Sequence, residues 1–410
     1  MEYLKNKIII SKSLQYLLLV LSFFISPLIS LLISIILYFF YIDHEINKKF
    51  LIIMISLSIA YFSFHLIPLE TDDLFRHYKI LNTIKNVSFL DSFKFGYPGV
   101  PLNTIIMYIC SKIFNEVRLY PSILIFFGFL FLFMIFLKLE NKFRIPKSLE
   151  FILFVFVFFE MVPRYYFSGI RNHFTFIILS FLIIEFYFSK KSRSKILLSI
   201  IISILLYFIH NGVILVLILF SFYELIYKNL VSKKICKILN VFIVFCLPLI
   251  AFAMNIVKEI MPSLLNFVLF QKINFYTSTL FNIQNINQYI LFIILVIFNM
   301  IVNYLIINKI KTTDNEIIKY LNFFKFICLV TLGFIPNMMM LLRFIYLISF
   351  LSIPIFFIYF NKENNKMRKN IIIFTMVVLI GIQIIYTYKS LIAYPLLFDK
   401  GLIDLLFFTY

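Results

Sequence analysis

Acid, base and cation stand side by side in Glu70-Thr-Asp-Asp-Leu-Phe-Arg-His-Tyr78, a charged stretch between two apolar runs. Helical spacing places Asp73, Arg76 and His77 at i, i+3 and i+4, on one face. Further along come Arg164, Arg171, His173, His210 and Arg343, each near the tip of an apolar segment. Arginine is always charged and offers a planar fork of donors that matches phosphate oxygens. Charged side chains gathered at the ends of apolar segments point to an anionic ligand. Proton transfer needs a base, and the candidates are His210, whose type titrates near neutrality, and Asp72 and Asp73. His77 and His173 are weaker candidates, and His65 reads as a packed, hydrogen-bonded histidine.

Each of these residues also has a plain structural use. Thr71 or Asp72 suits a helix N-cap, where first-turn acids are favourable. Arg164 stands four residues after Glu160, the spacing of a local ion pair. Seven residues separate Arg164 from Arg171, two helical turns, with Gly169 between them as a potential break. Isolated arginines at segment ends also reach toward lipid headgroups. Arg343 follows Met338-Met-Met-Leu-Leu342 and precedes Tyr346 on the same helical face, so it needs an anionic partner or water.

The elements that must position these residues are membrane helices. The chain has 410 residues, 62% hydrophobic and 14% charged, where a soluble domain is nearer a quarter charged. Apolar segments run over 14–42, 50–67, 119–138, 149–167, 172–189, 195–209, 211–226, 238–257, 287–307, 320–337, 342–360 and 370–388. They predict an all-α, polytopic integral membrane protein with about 12–13 transmembrane helices, each of about 20 apolar residues. No polar stretch is long enough for a separate soluble domain, so residues 1–410 read as one membrane-embedded domain.

The net charge of +19 is topological and not a nucleic-acid footprint. The basic loops Lys138 to Lys147, Lys190 to Lys195, Lys228 to Lys237, Lys309 to Lys319 and Lys362 to Lys369 are expected inside. The hairpin tips between them then face outward, with the loops 68–117 and 258–286 and the tail after 388. The N-terminus is expected inside, as an uncleaved first span. Segment 14–42 is either one tilted helix or two short spans broken at Ser26-Pro27. Two spans put the 68–117 loop outside, with 102–116 re-entrant or amphipathic. Cys110, Cys236, Cys246 and Cys328 lie in or beside apolar segments without metal or disulfide spacing. No phosphate-binding loop, dinucleotide motif, nucleophile elbow or tight His/Glu metal spacing occurs. No cofactor and no metal are expected.

A pattern joins these pieces: Asp73-Leu-Phe-Arg-His-Tyr78, a Gly96-Tyr-Pro98 loop, Ser168-Gly-Ile-Arg-Asn172, Phe208-Ile-His210 and Arg343-Phe-Ile-Tyr346. From about residue 50 to 360 the chain resembles the EpsG/Wzy group of exopolysaccharide, capsule and O-antigen polymerases. Many relatives read Gly-Leu-Arg-Gln where this chain has Gly169-Ile170-Arg171-Asn172. The resemblance implies a metal-independent glycosyltransferase in the bacterial inner membrane. It would act on undecaprenyl-pyrophosphate-linked oligosaccharides at the outer face, beside a flippase and a chain-length regulator. Arg171 and Arg343 would hold pyrophosphate, with Arg164 and Arg76 in support. Asp72, His77, Tyr78, Asn172 and Tyr346 complete the expected binding set, and His210 or Asp73 is the base. A lipid-linked oligosaccharide flippase and a membrane O-acyltransferase are the alternatives.

Overall fold

The computed structural model describes residues 12–40, 46–70, 72–97, 99–160, 169–190, 192–229, 239–241, 243–245, 286–335, 338–393 and 397–399. Arg164, Cys236, Cys246 and nearly all of the 258–286 loop lie outside them. The first apolar segment is two helices, α1 (Lys12–Ile25) and α2 (Pro27–Phe39). Ser26 between them is extended (φ −155°, ψ 111°), its Oγ accepts the Ile29 N–H, and Pro27 fits the first helical turn.

The pair doubles back. The Tyr16 hydroxyl, early in α1, accepts the Asn47 N–H just before α3 (Lys48–Phe64) at 2.8 Å. Tyr38, at the far end of α2, lies under the Lys147 ammonium at 5.1 Å. Lys147 bridges Glu140 and Glu150 at 2.8 and 2.7 Å, and Glu140 also pairs with Lys48. Both ends of the hairpin therefore meet the same ionic cluster. Each arm is about 20 Å long, short of the ~30 Å hydrocarbon thickness. Ser26, Ser30 and Ser34 recur every four residues and are buried, a small-residue seam along the helix that packs on α3.

After α3 come β1 (Leu66–Ile67), α4 (Asp73–Ile84), α5 (Phe89–Phe95) and α6 (Pro101–Tyr108), which continues as a π-turn over Ile109–Ile113. Then follow α7 (Leu119–Lys142), α8 (Lys147–Glu160), α9 (Ile170–Phe188), α10 (Arg193–Ile209) and α11 (Val213–Leu225). The last are α12 (Ile286–Lys309), α13 (Asn315–Gly333), α14 (Met338–Lys362), α15 (Lys366–Ala393) and β2 (Leu397–Phe398). Among the described residues the fold is all-α apart from the two-residue antiparallel pair β1–β2. Among the described residues four helices are long and apolar enough to cross a membrane, in α7, α9, α14 and α15. They mark a membrane protein.

Two compact units divide the chain. One comprises Met1–Phe181, Leu197–Asn211 and Lys366–Tyr410, and in it α3 packs on α2 and α7 while α15 packs on α8. The other comprises Leu182–Ile196 and Gly212–Asn365, with α12 and α13 against the deeply buried α14. There the Tyr320 hydroxyl donates to the Leu351 carbonyl at 2.5 Å, and the Tyr187 hydroxyl to Glu224 at 2.5 Å.

Candidate functional site

Asp72 occupies the N-cap position of α4, yet its carboxylate accepts the Leu69 N–H at 2.9 Å in place of a helix amide. Leu74, His77, Leu81 and Ile84 form the buried stripe of α4. Asp73 and Arg76 stand at its rim, as the spacing predicts. Asp73 pairs with Arg76 one turn on, and its other oxygen is 3.4 Å from His77 Nε2 and 3.9 Å from an Arg171 terminal nitrogen.

Tyr97 is the residue the sequence reading leaves out. Its hydroxyl lies 2.8 Å from His77 Nδ1. Its ring carries the Arg171 guanidinium at 3.9 Å and the Arg76 guanidinium at 5.7 Å. A guanidinium stacked on an aromatic face keeps its N–H edge available for an in-plane acceptor. Arg171 Nε and Asn172 Oδ1 are buried and have no hydrogen-bond partner among the described residues. Both sit in the first turn of α9, where helix amides also favour an anion.

Two glycines shape the Tyr97 loop. A Cβ on Gly96 would stand 2.2 Å from the Thr104 hydroxyl. Gly99 has φ +76°, and a Cβ there would meet the Asn211 side-chain nitrogen at 3.3 Å. The loop is thereby pressed against the tip that joins α10 to α11, which carries His210-Asn211-Gly212. His210 itself is buried, its ring 6.1 Å from that of Phe176 on α9. Below His77, the Tyr120 ring lies at 5.5 Å and its hydroxyl donates to Asn103 Oδ1 at 2.7 Å.

Burial lowers the His77 pKa to about 4; Asp73 opposes this, and Arg171 and Arg76 reinforce it. The ring is therefore neutral near pH 7. Its partners assign the tautomer: the Tyr97 O–H donates to Nδ1, and the Nε2–H faces Asp73. Burial pushes the Asp73 carboxyl up, but the His77 hydrogen bond and the two guanidiniums outweigh it. With His77 neutral, both guanidiniums still act, so the carboxyl stays well below the usual carboxylate range. Two guanidiniums against one carboxylate leave the face of Tyr97 positive. Such a site binds an anion; Asp73 orients the cations and is a poor proton acceptor at neutral pH.

The remaining predicted residues fall elsewhere. Tyr78 faces the other side of α4, next to Arg118, Glu116 and Asp399, where burial pushes its pKa up. These three form a second ionic cluster. Arg118 holds Glu116 through Nε and a terminal nitrogen, both at 3.0 Å, and also pairs with Asp399. Asp399 accepts from His65 Nδ1 at 2.7 Å, and its own N–H donates to the His65 carbonyl at 2.9 Å. With the β1–β2 pair, this straps residues 397–399 onto the chain just after α3. His173 is wholly buried in α9 against Gly128 and Phe129. Arg343 is half-buried and Tyr346 buried in α14, within the other unit.

Asp73, Arg76, His77 and Arg171 are thus brought together by Tyr97, with the His210 tip against the same loop. No group of His, Cys, Asp and Glu with metal-holding geometry occurs among the described residues. Against protein-family models, curated proteins and solved structures, the chain has no match.

Proposed function

We propose that the chain is a membrane polysaccharide polymerase of the EpsG/Wzy type. It polymerises undecaprenyl-pyrophosphate-linked repeat units at the outer face of the bacterial inner membrane, making capsular, O-antigen or other exopolysaccharide. The observation that carries this reading is the Arg171 guanidinium stacked on Tyr97 beside Arg76 and Asp73, with its Nε buried and without a partner among the described residues. That arrangement suits a leaving pyrophosphate, whose developing charge needs fixed donors.

In the step itself, an acceptor sugar hydroxyl attacks the anomeric carbon of the donor chain. The new glycosidic C–O bond forms as the bond to the pyrophosphate oxygen breaks, and lipid pyrophosphate leaves. His210 takes the hydroxyl proton. Asp73 holds Arg76 and Arg171 in position, and the buried His77 holds Asp73 and Tyr97. Arg164 and Arg343 are further candidate cations, to be tested by their own variants. The proposed topology has about thirteen spans, one for each apolar segment, with 14–42 crossing twice on its two short arms. The N-terminus is inside and the C-terminus outside.

Deletion of the gene, followed by gel analysis of surface glycan, tests the activity. A polymerase mutant leaves single repeat units on the surface. A mutant with no repeat unit outside would instead identify a flippase.

A further inference from the structure

We infer that α5 and the π-turn after α6 form a membrane-surface foot, seated at the headgroup–acyl boundary of the leaflet next to the Tyr97 site. Seven and five residues long, neither piece crosses a bilayer. Both nonetheless turn large apolar side chains outward. Leu90 is 77% exposed, Ile113 65% and Phe114 59%. The two pieces are joined through α6, which packs on both, and through α4, which also packs on both. The Phe89 ring contacts Phe93 at 5.3 Å and Tyr108 at 5.2 Å, and Lys112 Nζ donates to the Lys85 carbonyl at 3.1 Å.

Three features select lipid as the occupant. Lys85, Lys94 and Lys112 lie in or beside these pieces, Lys94 paired with Asp91 at 2.7 Å, so the basic residues outnumber that one acid as on an amphipathic surface helix that meets anionic headgroups. The π-turn packs against α7, a helix of membrane length whose Phe127 is exposed, so the patch adjoins a lipid-facing wall. A water-facing loop has no use for a Leu, an Ile and a Phe this open beside lysines, because each exposed apolar side chain forgoes its burial free energy. α4 packs on α5, α6 and the π-turn alike. Seating the foot therefore sets the height of the helix that carries Asp73 and His77, whatever chemistry Tyr97 serves.

The chain contains no Trp, so one introduced indole reports its own surroundings without background. Leu90→Trp and Ile113→Trp, in separate full-length proteins, are reconstituted in vesicles of phosphatidylethanolamine and phosphatidylglycerol. Lipids brominated near the headgroup end of the acyl chain should quench most of the emission in both variants, while aqueous iodide should quench little. Neutralising Lys85, Lys94 and Lys112 to Gln should remove any dependence of that quenching on the phosphatidylglycerol share. Emission quenched by iodide and untouched by brominated lipid at either position would overturn the foot. So would shielding that vanishes on dilution of protein in lipid, which would identify a second copy as the cover.

Discussion

Arg171 does two things that lysine cannot: it lies flat on Tyr97, and it keeps a buried Nε–H without a partner among the described residues. Arg171→Lys keeps the charge and loses the stack and the fork. Purified protein given lipid-linked repeat units should then lose most polymer while still inserting normally; wild-type chain length would reduce Arg171 to a headgroup anchor. His210→Ala should slow turnover by about 10²-fold or more, the scale of general-base loss. Asp73→Asn should do less, since an amide still accepts a hydrogen bond; the reverse ranking would make Asp73 the base. His77 gives a sign-definite pH test. Its pKa falls from about 6.5 in an open chain to about 4 when buried. Above the higher value both forms are neutral and the docking of α4 is fully present. As pH falls toward the lower value, only the open form takes the proton, and docking weakens by up to about 3 kcal/mol. Amide hydrogen exchange of Asp73–Ile84, corrected for intrinsic rates, should rise across that window, and His77→Gln should flatten the rise. The face shared by Asp73, Arg76 and His77 was legible from spacing alone. The stacking role of Tyr97 was not, because no local pattern announces that a residue from one loop will lie under an arginine from another helix.

At the scale of elements, glycine and proline carried the readable signal. Ser26-Pro27 marks a break, and the structure turns the chain back there, resolving the choice between one helix and two. Gly96 and Gly99 punctuate the loop, and the space around them shows why. Gly96→Ala puts a methyl into the buried Thr104 hydroxyl, and Gly99→Ala must hold φ +76° at a cost of about 1–2 kcal/mol. Either variant should loosen Tyr97 and weaken binding of inorganic pyrophosphate, read by calorimetry, with Gly96→Ala the more severe. The strap at 397–399 left no trace in sequence: Asp399 is one of two acids in an apolar tail, and its partners stand hundreds of residues earlier. Asp399→Asn should raise exchange at Leu66 and Ile67. The part of the strap carried by Arg118 is worth at most about 1 kcal/mol, because that pair is about one-third exposed.

For the whole molecule, composition and basic loops foretold an all-helical membrane protein, while the span count rests on segment reading. Single Cys residues in a Cys-free variant test the orientation. An impermeant thiol reagent should label the 258–286 loop in intact cells and miss the 190–195 loop; the opposite result would invert the proposed faces. The strap adds a constraint of parity. Ile67 and Leu397 pair directly, so they lie on one side of any bilayer the chain crosses. The chain between them must then cross an even number of times, whatever the helices in between are. The apolar segments from 119–138 to 370–388 are even in number. Counting 102–116 as one more crossing would make the total odd and pull the strand pair apart across the membrane.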